Sequence, residues 1–97
     1  MVAPNIQLVR LRDIGWELWD PIGLQVVRDQ CDDEYDRYLL EVVARLERGD
    51  ATQSVANYLV TMAGENMGLR QRPSALTRAS ATVAAIKAYL ETLGREQ

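Results

Sequence analysis

The chain contains no histidine and a single cysteine, Cys31. Without histidine it lacks the commonest general base and the commonest metal ligand. One cysteine cannot close an internal disulfide, and one thiolate does not make a zinc site, so Cys31 reads as a small residue beside a helix start. No apolar stretch approaches the roughly 18–20 residues that span a bilayer. The start Met1-Val2-Ala3-Pro4-Asn5 has no basic region leading into an apolar run, so no secretory leader is expected and the chain reads as cytoplasmic. Strand-like alternation, internal repeats and low-complexity segments are also missing. No cofactor and no metal are expected.

What is present describes one ordinary globular domain. The 97 residues are 47% hydrophobic and 26% charged. A domain of this size buries roughly 60–70% of its unfolded surface, enough for a core without disulfide or metal. The net charge of −3 is unevenly spread: residues 1–50 hold 11 acidic and 6 basic groups, residues 51–97 hold 3 and 5. An acidic first half opposes binding to a phosphate backbone and suits a basic protein partner, or simply keeps the surface solvated.

Helical spacing occurs four times, which predicts an all-α fold, a compact bundle of four main helices. Helix one spans about Gln7 to Trp19, with Leu8, Leu11, Ile14, Leu18 and Trp19 in one stripe. Gly15 in its middle costs about 1 kcal/mol against alanine, and its use is the close approach of a neighbouring helix or ring. Val9 and Trp16 fall off the stripe and form either a second core edge or an exposed contact patch. Helix two spans about Asp33 to Arg48, with Tyr35, Tyr38, Leu39, Val42, Val43 and Leu46 on its apolar face and Gly49 as a left-handed stop. Asp50 and Gln53 form a capping-box pattern for helix three, which runs to about Met67. Its wide apolar stripe makes it the candidate for the most buried element. Pro73 and Ser74 start helix four, residues 73–93. There Leu76, Val83 and Leu90, and Ala79, Ile86 and Leu93, repeat every seven residues, a seam that docks along the domain or pairs two copies in a homodimer.

The segment between helices one and two carries two marked features. Asp20-Pro21-Ile22-Gly23 matches a type I turn, with Asp first, Pro second and Gly fourth. Proline disfavours helix at the preceding residue, so helix one ends at Trp19 or Asp20. The Asp20 carboxylate is expected to bond N–H groups two or three residues ahead, and Trp19 to bury its ring at the corner. Trp19, Asp20, Pro21 and Gly23 read as a structural corner, with a recognition loop as the alternative. Leu24, Val26 and Val27 anchor the stretch that follows, with a short helical turn. The second feature is Asp32-Asp33-Glu34-Tyr35-Asp36-Arg37-Tyr38. Its carboxylates suit the N-terminus of helix two, and Asp33 can pair with Arg37. Their spacing is not that of an EF-hand loop. As an acidic patch, Asp32, Asp33, Glu34 and Asp36, with Trp16 and Val9, are the candidate partner-binding residues.

Ile14-Gly15-Trp16-Glu17-Leu18-Trp19-Asp20-Pro21-Ile22-Gly23 resembles the start of a small bacterial helical family, the YugE-like domain of unknown function. The likeness continues at Asp33 to Tyr38, at Arg48-Gly49-Asp50, at Tyr58-Leu59 and at Glu65 to Leu69. It covers residues 11 to 69 and marks 7–69 as the family-like core, with the last helix outside it. The resemblance implies an all-helical cytoplasmic protein without an assigned activity. Gly15 stands where the family pattern has a larger apolar residue.

Three classes of function fit these residues unequally. A non-catalytic protein-binding module, such as an immunity or antidote protein for a basic toxin, fits the small size and the acidic asymmetry. A helix-turn-helix-like nucleic-acid binder would use the Gly49-Asp50 turn and Arg70, Arg72 and Arg78, against a sequence pI of about 4.8. An enzyme would have only Asp20, Asp33, Glu34, Asp36, Tyr35 and Tyr38 as acid–base groups, with no recognised nucleophile or phosphate loop.

Overall fold

The computed structural model describes residues 6–65 and 74–95. Among the described residues the fold is all-helical. Helix α1 is Leu8–Ile14, and it runs without a break into a π-helical segment, Gly15–Trp19. A kinked 3₁₀ segment follows at Gln25–Gln30, then α2 (Asp36–Arg48), α3 (Thr52–Glu65) and α4 (Ala75–Arg95). No helix among them is long and apolar enough to cross a membrane. The expected end of helix three at Met67 and Gly68, and the connector with Arg70, Arg72 and Pro73, lie outside the described residues.

The π-helical segment changes which residues of helix one face inward. Its ring is closed by the N–H of Asp20 donating to the carbonyl of Gly15 at 2.9 Å, five residues back. A wider turn advances each residue by less rotation than an α-turn does, so the residues after Gly15 lag behind the 100° schedule. Leu18 slides to a half-buried position, and Trp16 and Trp19, three apart, both enter the core. Trp16 is only 1% exposed, which excludes its ring as a surface contact. The straight α-helical wheel placed Trp19 on the stripe and left Trp16 open between a second core edge and an exposed patch, and for Trp16 the structure has the core.

Gly15 permits the central helix crossing. A Cβ placed there would lie 2.7 Å from Cδ1 and 3.0 Å from Cδ2 of Leu39, a fully buried residue of α2. The backbone at Gly15 is ordinary helix, so crowding alone selects glycine. Gly15→Ala gains about 1 kcal/mol of helix propensity and loses about 1–3 kcal/mol to overpacking. The net expectation is a loss of about 1 kcal/mol in urea denaturation. Leu39→Val withdraws both offending methyls, so the double variant loses less than the two single changes together. Additive losses would show that the crowding is not at Leu39.

Helix α2 stops as its sequence predicts. Gly49 takes a left-handed φ of 97°, its N–H donates to Leu46, and that of Asp50 donates back to Arg45 at 3.0 Å, the double closure of a Schellman end. The start of α3 differs from expectation. Both carboxylate oxygens of Asp50 accept from Arg48, at 3.1 and 2.6 Å, and the first α-helical bond runs from Val55 N–H to the carbonyl of Ala51. The strong cation two residues away takes the carboxylate, and the helix begins one residue later.

Helices α2 and α4, not α3, each touch all the other main helices, and α4 also packs on the π-helical segment. Helix α4 buries Ala79, Thr82, Val83, Ile86 and Leu93, whereas α3 buries Val55, Ala56 and Leu59. The hydroxyl of Thr82 returns to the Arg78 carbonyl at 2.8 Å, so its polar atom is satisfied inside the core. Most of the seven-residue seam is therefore buried within the chain. Leu76, at its start, is the member left exposed.

Candidate functional site

The corner after helix one is built on the buried carboxylate of Asp20. Asp20 has φ 28° and ψ 63°, a left-handed conformation that aspartate tolerates better than most residues. The turn itself is closed by the N–H of Gly23 donating to the Asp20 carbonyl at 3.2 Å, and Gly23 has φ 79°. The side chain reaches further than the sequence suggested. Oδ1 accepts the N–H of Leu24 at 2.9 Å and Oδ2 that of Gln25 at 3.2 Å, four and five residues ahead. Oδ1 also accepts the hydroxyl of Tyr35 at 2.7 Å, and the Tyr35 oxygen in turn accepts the N–H of Ile22 at 3.3 Å. Across the fold, Arg78 of α4 donates to the carbonyl of Trp19 at 3.2 Å, closing the end of the π-helical segment.

Tyr35 is the hub of this corner and sits just before α2 rather than within it. It is fully buried, with the rings of Trp16 and Trp19 at centroid distances of 4.8 and 5.3 Å. Tilted and edge-on contacts of this kind suit the quadrupoles of aromatic rings. Burial first, and the hydrogen bond to Asp20 second, push the Tyr35 phenol well above its ordinary value. A phenol raised in the folded state stabilises the fold fully below the unfolded value of about 10, and that contribution is lost as pH climbs above it. Tyr35→Phe is expected to cost about 1–2 kcal/mol at pH 7 and to flatten the fall in stability between about pH 10 and 12. Denaturation series at both ends of that range test the sign; an unchanged alkaline slope would refute the assignment.

The acidic start is wired differently from a helix cap. Residues 32–35 form turns, α2 begins at Asp36, and no side chain bonds its N-cap position. The carboxylates go to arginines instead. Arg12 grips Asp36 with two bonds, Nε at 3.0 Å and Nη2 at 2.7 Å, and lies 3.6 Å from Asp32. Arg28 donates to Asp32 at 3.0 Å and to Asp13 at 2.7 Å. The hydrogen bond to Asp36 raises the Arg12 guanidinium further, and those to Asp13 and Asp32 do the same for Arg28. The chain Asp13–Arg28–Asp32–Arg12–Asp36 alternates in sign and ties α1, the 3₁₀ segment and α2 together. Trp16 Nε1 adds a bond to the Asp32 carbonyl at 3.1 Å. Arg37 turns to the Tyr38 hydroxyl at 2.7 Å rather than to Asp33.

The predicted site residues are thus separated by role. Asp32 and Asp36 are engaged internally, Trp16 is buried, and Asp33, Glu34 and Val9 remain exposed. Asp29, also exposed, joins Asp33 and Glu34 in having no ion pair among the described residues. Among the described residues no three carboxylate or thiol groups are placed to hold a metal ion. Two open clefts flank α4, one against the start of α3 and one against α1. Neither is lined by Asp20, Asp33, Glu34, Tyr35, Asp36 or Tyr38; the first carries Lys87 and Glu91 instead, and the second Asp13, Glu17 and Tyr89.

Sequence reasoning missed two partnerships, Asp20 with Tyr35 and the two arginines with the acidic run. Arg12 carried no local signal, since it meets its carboxylates across 20 and 24 residues; Arg28 lies four residues from Asp32 in a segment without clear period, and 15 from Asp13. Val26 and Val27 do not anchor their segment; Leu24 packs against the core, while Val26 is 94% exposed. No family model, no curated protein and no solved structure matches the chain.

Proposed function

We propose that the chain is a non-catalytic protein-binding module of the immunity or antidote type, which neutralises a basic protein through its acidic first half. The observation that carries this reading is the charge left over after internal pairing. Arg12 and Arg28 are committed to Asp13, Asp32 and Asp36, and Asp29, Asp33 and Glu34 face solvent with no ion pair among the described residues. Uncompensated charge at an exposed surface steers an oppositely charged partner and rejects like-charged ones. The groups that would serve an enzyme support this reading too, since Asp20 and Tyr35 are spent on each other inside the core.

Kinship with the YugE-like family belongs to this proposal on its motifs, several of which have structural work: Trp19 to Gly23 make the corner, Tyr35 the hub, Gly49 and Asp50 the end of α2. Tagged full-length chain recovered from its native cells is expected to carry a basic protein in fixed ratio, released by salt. Recovery of the free chain alone, or of its homo-oligomer, would count against the module. For the helix-turn-helix alternative, Arg78 is drawn inward to Trp19; a shift of duplex DNA in a low-salt gel would revive it.

A further inference from the structure

The stretch between the corner and α2 is fastened by polar ties more than by burial. No residue from 21 to 34 is fully buried, and of the apolar residues from 25 to 34 only Cys31 packs against the core. Arg28 donates to Asp13 of α1 at 2.7 Å, and Arg12 of α1 lies 3.6 Å from Asp32. The Trp16 indole donates to the Asp32 carbonyl at 3.1 Å. At the near end the Asp20 carboxylate accepts the N–H groups of Leu24 and Gln25. Within the stretch, Arg28 also bonds Asp32, which clips it into one piece.

The helices pack on one another without this stretch. Helix α1 packs on α2 and α4, α2 on α3 and α4, α3 on α4, and α4 on the π-helical segment as well. A segment with little buried apolar surface opens at a lower free energy than the core it lies on. The ion pairs that hold this one have side chains 25–47% exposed, so dissolved salt reaches them. What lies beneath is aromatic. The Arg28 guanidinium stands 5.8 Å from the centroid of the Trp16 ring, and that ring packs on Tyr35.

We propose that residues 24–34 are a strap, latched by Arg28 and Arg12, that opens as a unit while the helices stay assembled and uncovers Trp16. It runs from the turn at Gly23 to Tyr35, which remains anchored on Asp20. Ionic strength sets the open fraction. The open chain presents an aromatic surface that the closed chain hides, whatever the chain binds.

Hydrogen exchange on the full-length chain reads the opening directly. The bonded N–H groups of Gln25, Val27 and Cys31 and the Trp16 indole N–H are expected to share one opening constant. It should lie at least about tenfold above that of the Leu39, Val42 and Val43 amides in α2. Raising sodium chloride from about 0.05 to 0.5 M is expected to increase the shared constant about threefold. Arg28→Gln, which removes two ion pairs, is expected to increase it about three- to tenfold and to remove most of that salt dependence. Ile86→Val, inside the core on α4, is expected to speed the α2 amides at least about twofold and to leave the strap protons unchanged. Strap protons that follow Ile86→Val, or that exchange no faster than the α2 amides, would mean that only global unfolding occurs and would overturn the strap. Unchanged strap exchange in Arg28→Gln would overturn the latch. A Trp16 indole that exchanges with the core would overturn its uncovering.

Discussion

Asp20→Ala is expected to destabilise the fold by about 3–4 kcal/mol, a large share of the roughly 5–15 kcal/mol that holds a small domain together. Two costs add. The Asp20 carboxylate accepts the Tyr35 hydroxyl and the N–H groups of Leu24 and Gln25. Losing a charged acceptor leaves these donors short, at about 1–3 kcal/mol for each one that water cannot reach. Leu24 and Gln25 retain some access to solvent, which lowers their share, whereas Tyr35 has none. The second cost is conformational, because alanine at the φ of 28° seen here pays about 1–2 kcal/mol that aspartate partly avoids. Asp20→Asn keeps the shape and the tolerance for that backbone, with one acceptor oxygen instead of two, and is expected to lose about half as much. Urea denaturation gives the magnitudes. Amide exchange at Leu24 and Gln25 should accelerate in both variants. A loss under about 1 kcal/mol for Asp20→Ala would mean that water replaces the carboxylate without penalty.

Trp16→Ala is expected to cost about 3–5 kcal/mol, the range for removing a large aromatic from a core. The ring lies 4.8 Å from that of Tyr35, its N–H reaches the Asp32 carbonyl, and the Arg28 guanidinium stands 5.8 Å from its centroid. Trp16→Phe keeps part of the ring contact and forfeits the N–H bond, so it should fall between Ala and wild type. The experiment separates two readings of Trp16 off the apolar stripe. As an exposed contact its loss would change stability by no more than about 0.5 kcal/mol. In the structure it is core. A near-neutral Trp16→Ala would therefore argue against the burial.

These two residues mark where reading the chain succeeds and where it stops. The corner was legible because each of its signals is local: proline sets its own φ, bars helix at the residue before it, and glycine supplies a positive φ at the fourth place. The reach of the Asp20 side chain was not, since its partner Tyr35 lies 15 residues on and nothing in the intervening sequence announces the meeting. The acidic run was legible as charge, and even as charge near a helix start. Its division into Asp32 and Asp36, held by Arg12 and Arg28, and Asp29, Asp33 and Glu34, left to solvent, depends on how α1 and the 3₁₀ segment lie against α2.

The amino-acid order by itself determined the all-helical class, the apolar faces of α2 and α4, the left-handed stop at Gly49 and the reversal at Asp20. All of these follow from periodicity and from backbone preferences that act within a few residues. The tertiary structure alone decided that α2 and α4 rather than α3 are central, that Trp16 turns inward, and that Asp50 serves Arg48 instead of capping α3. It also decided which carboxylates remain free. In each of these a local preference of about 1 kcal/mol competes with packing or charge pairing of equal or greater strength, and the neighbours that tip the balance arrive only when the chain has folded.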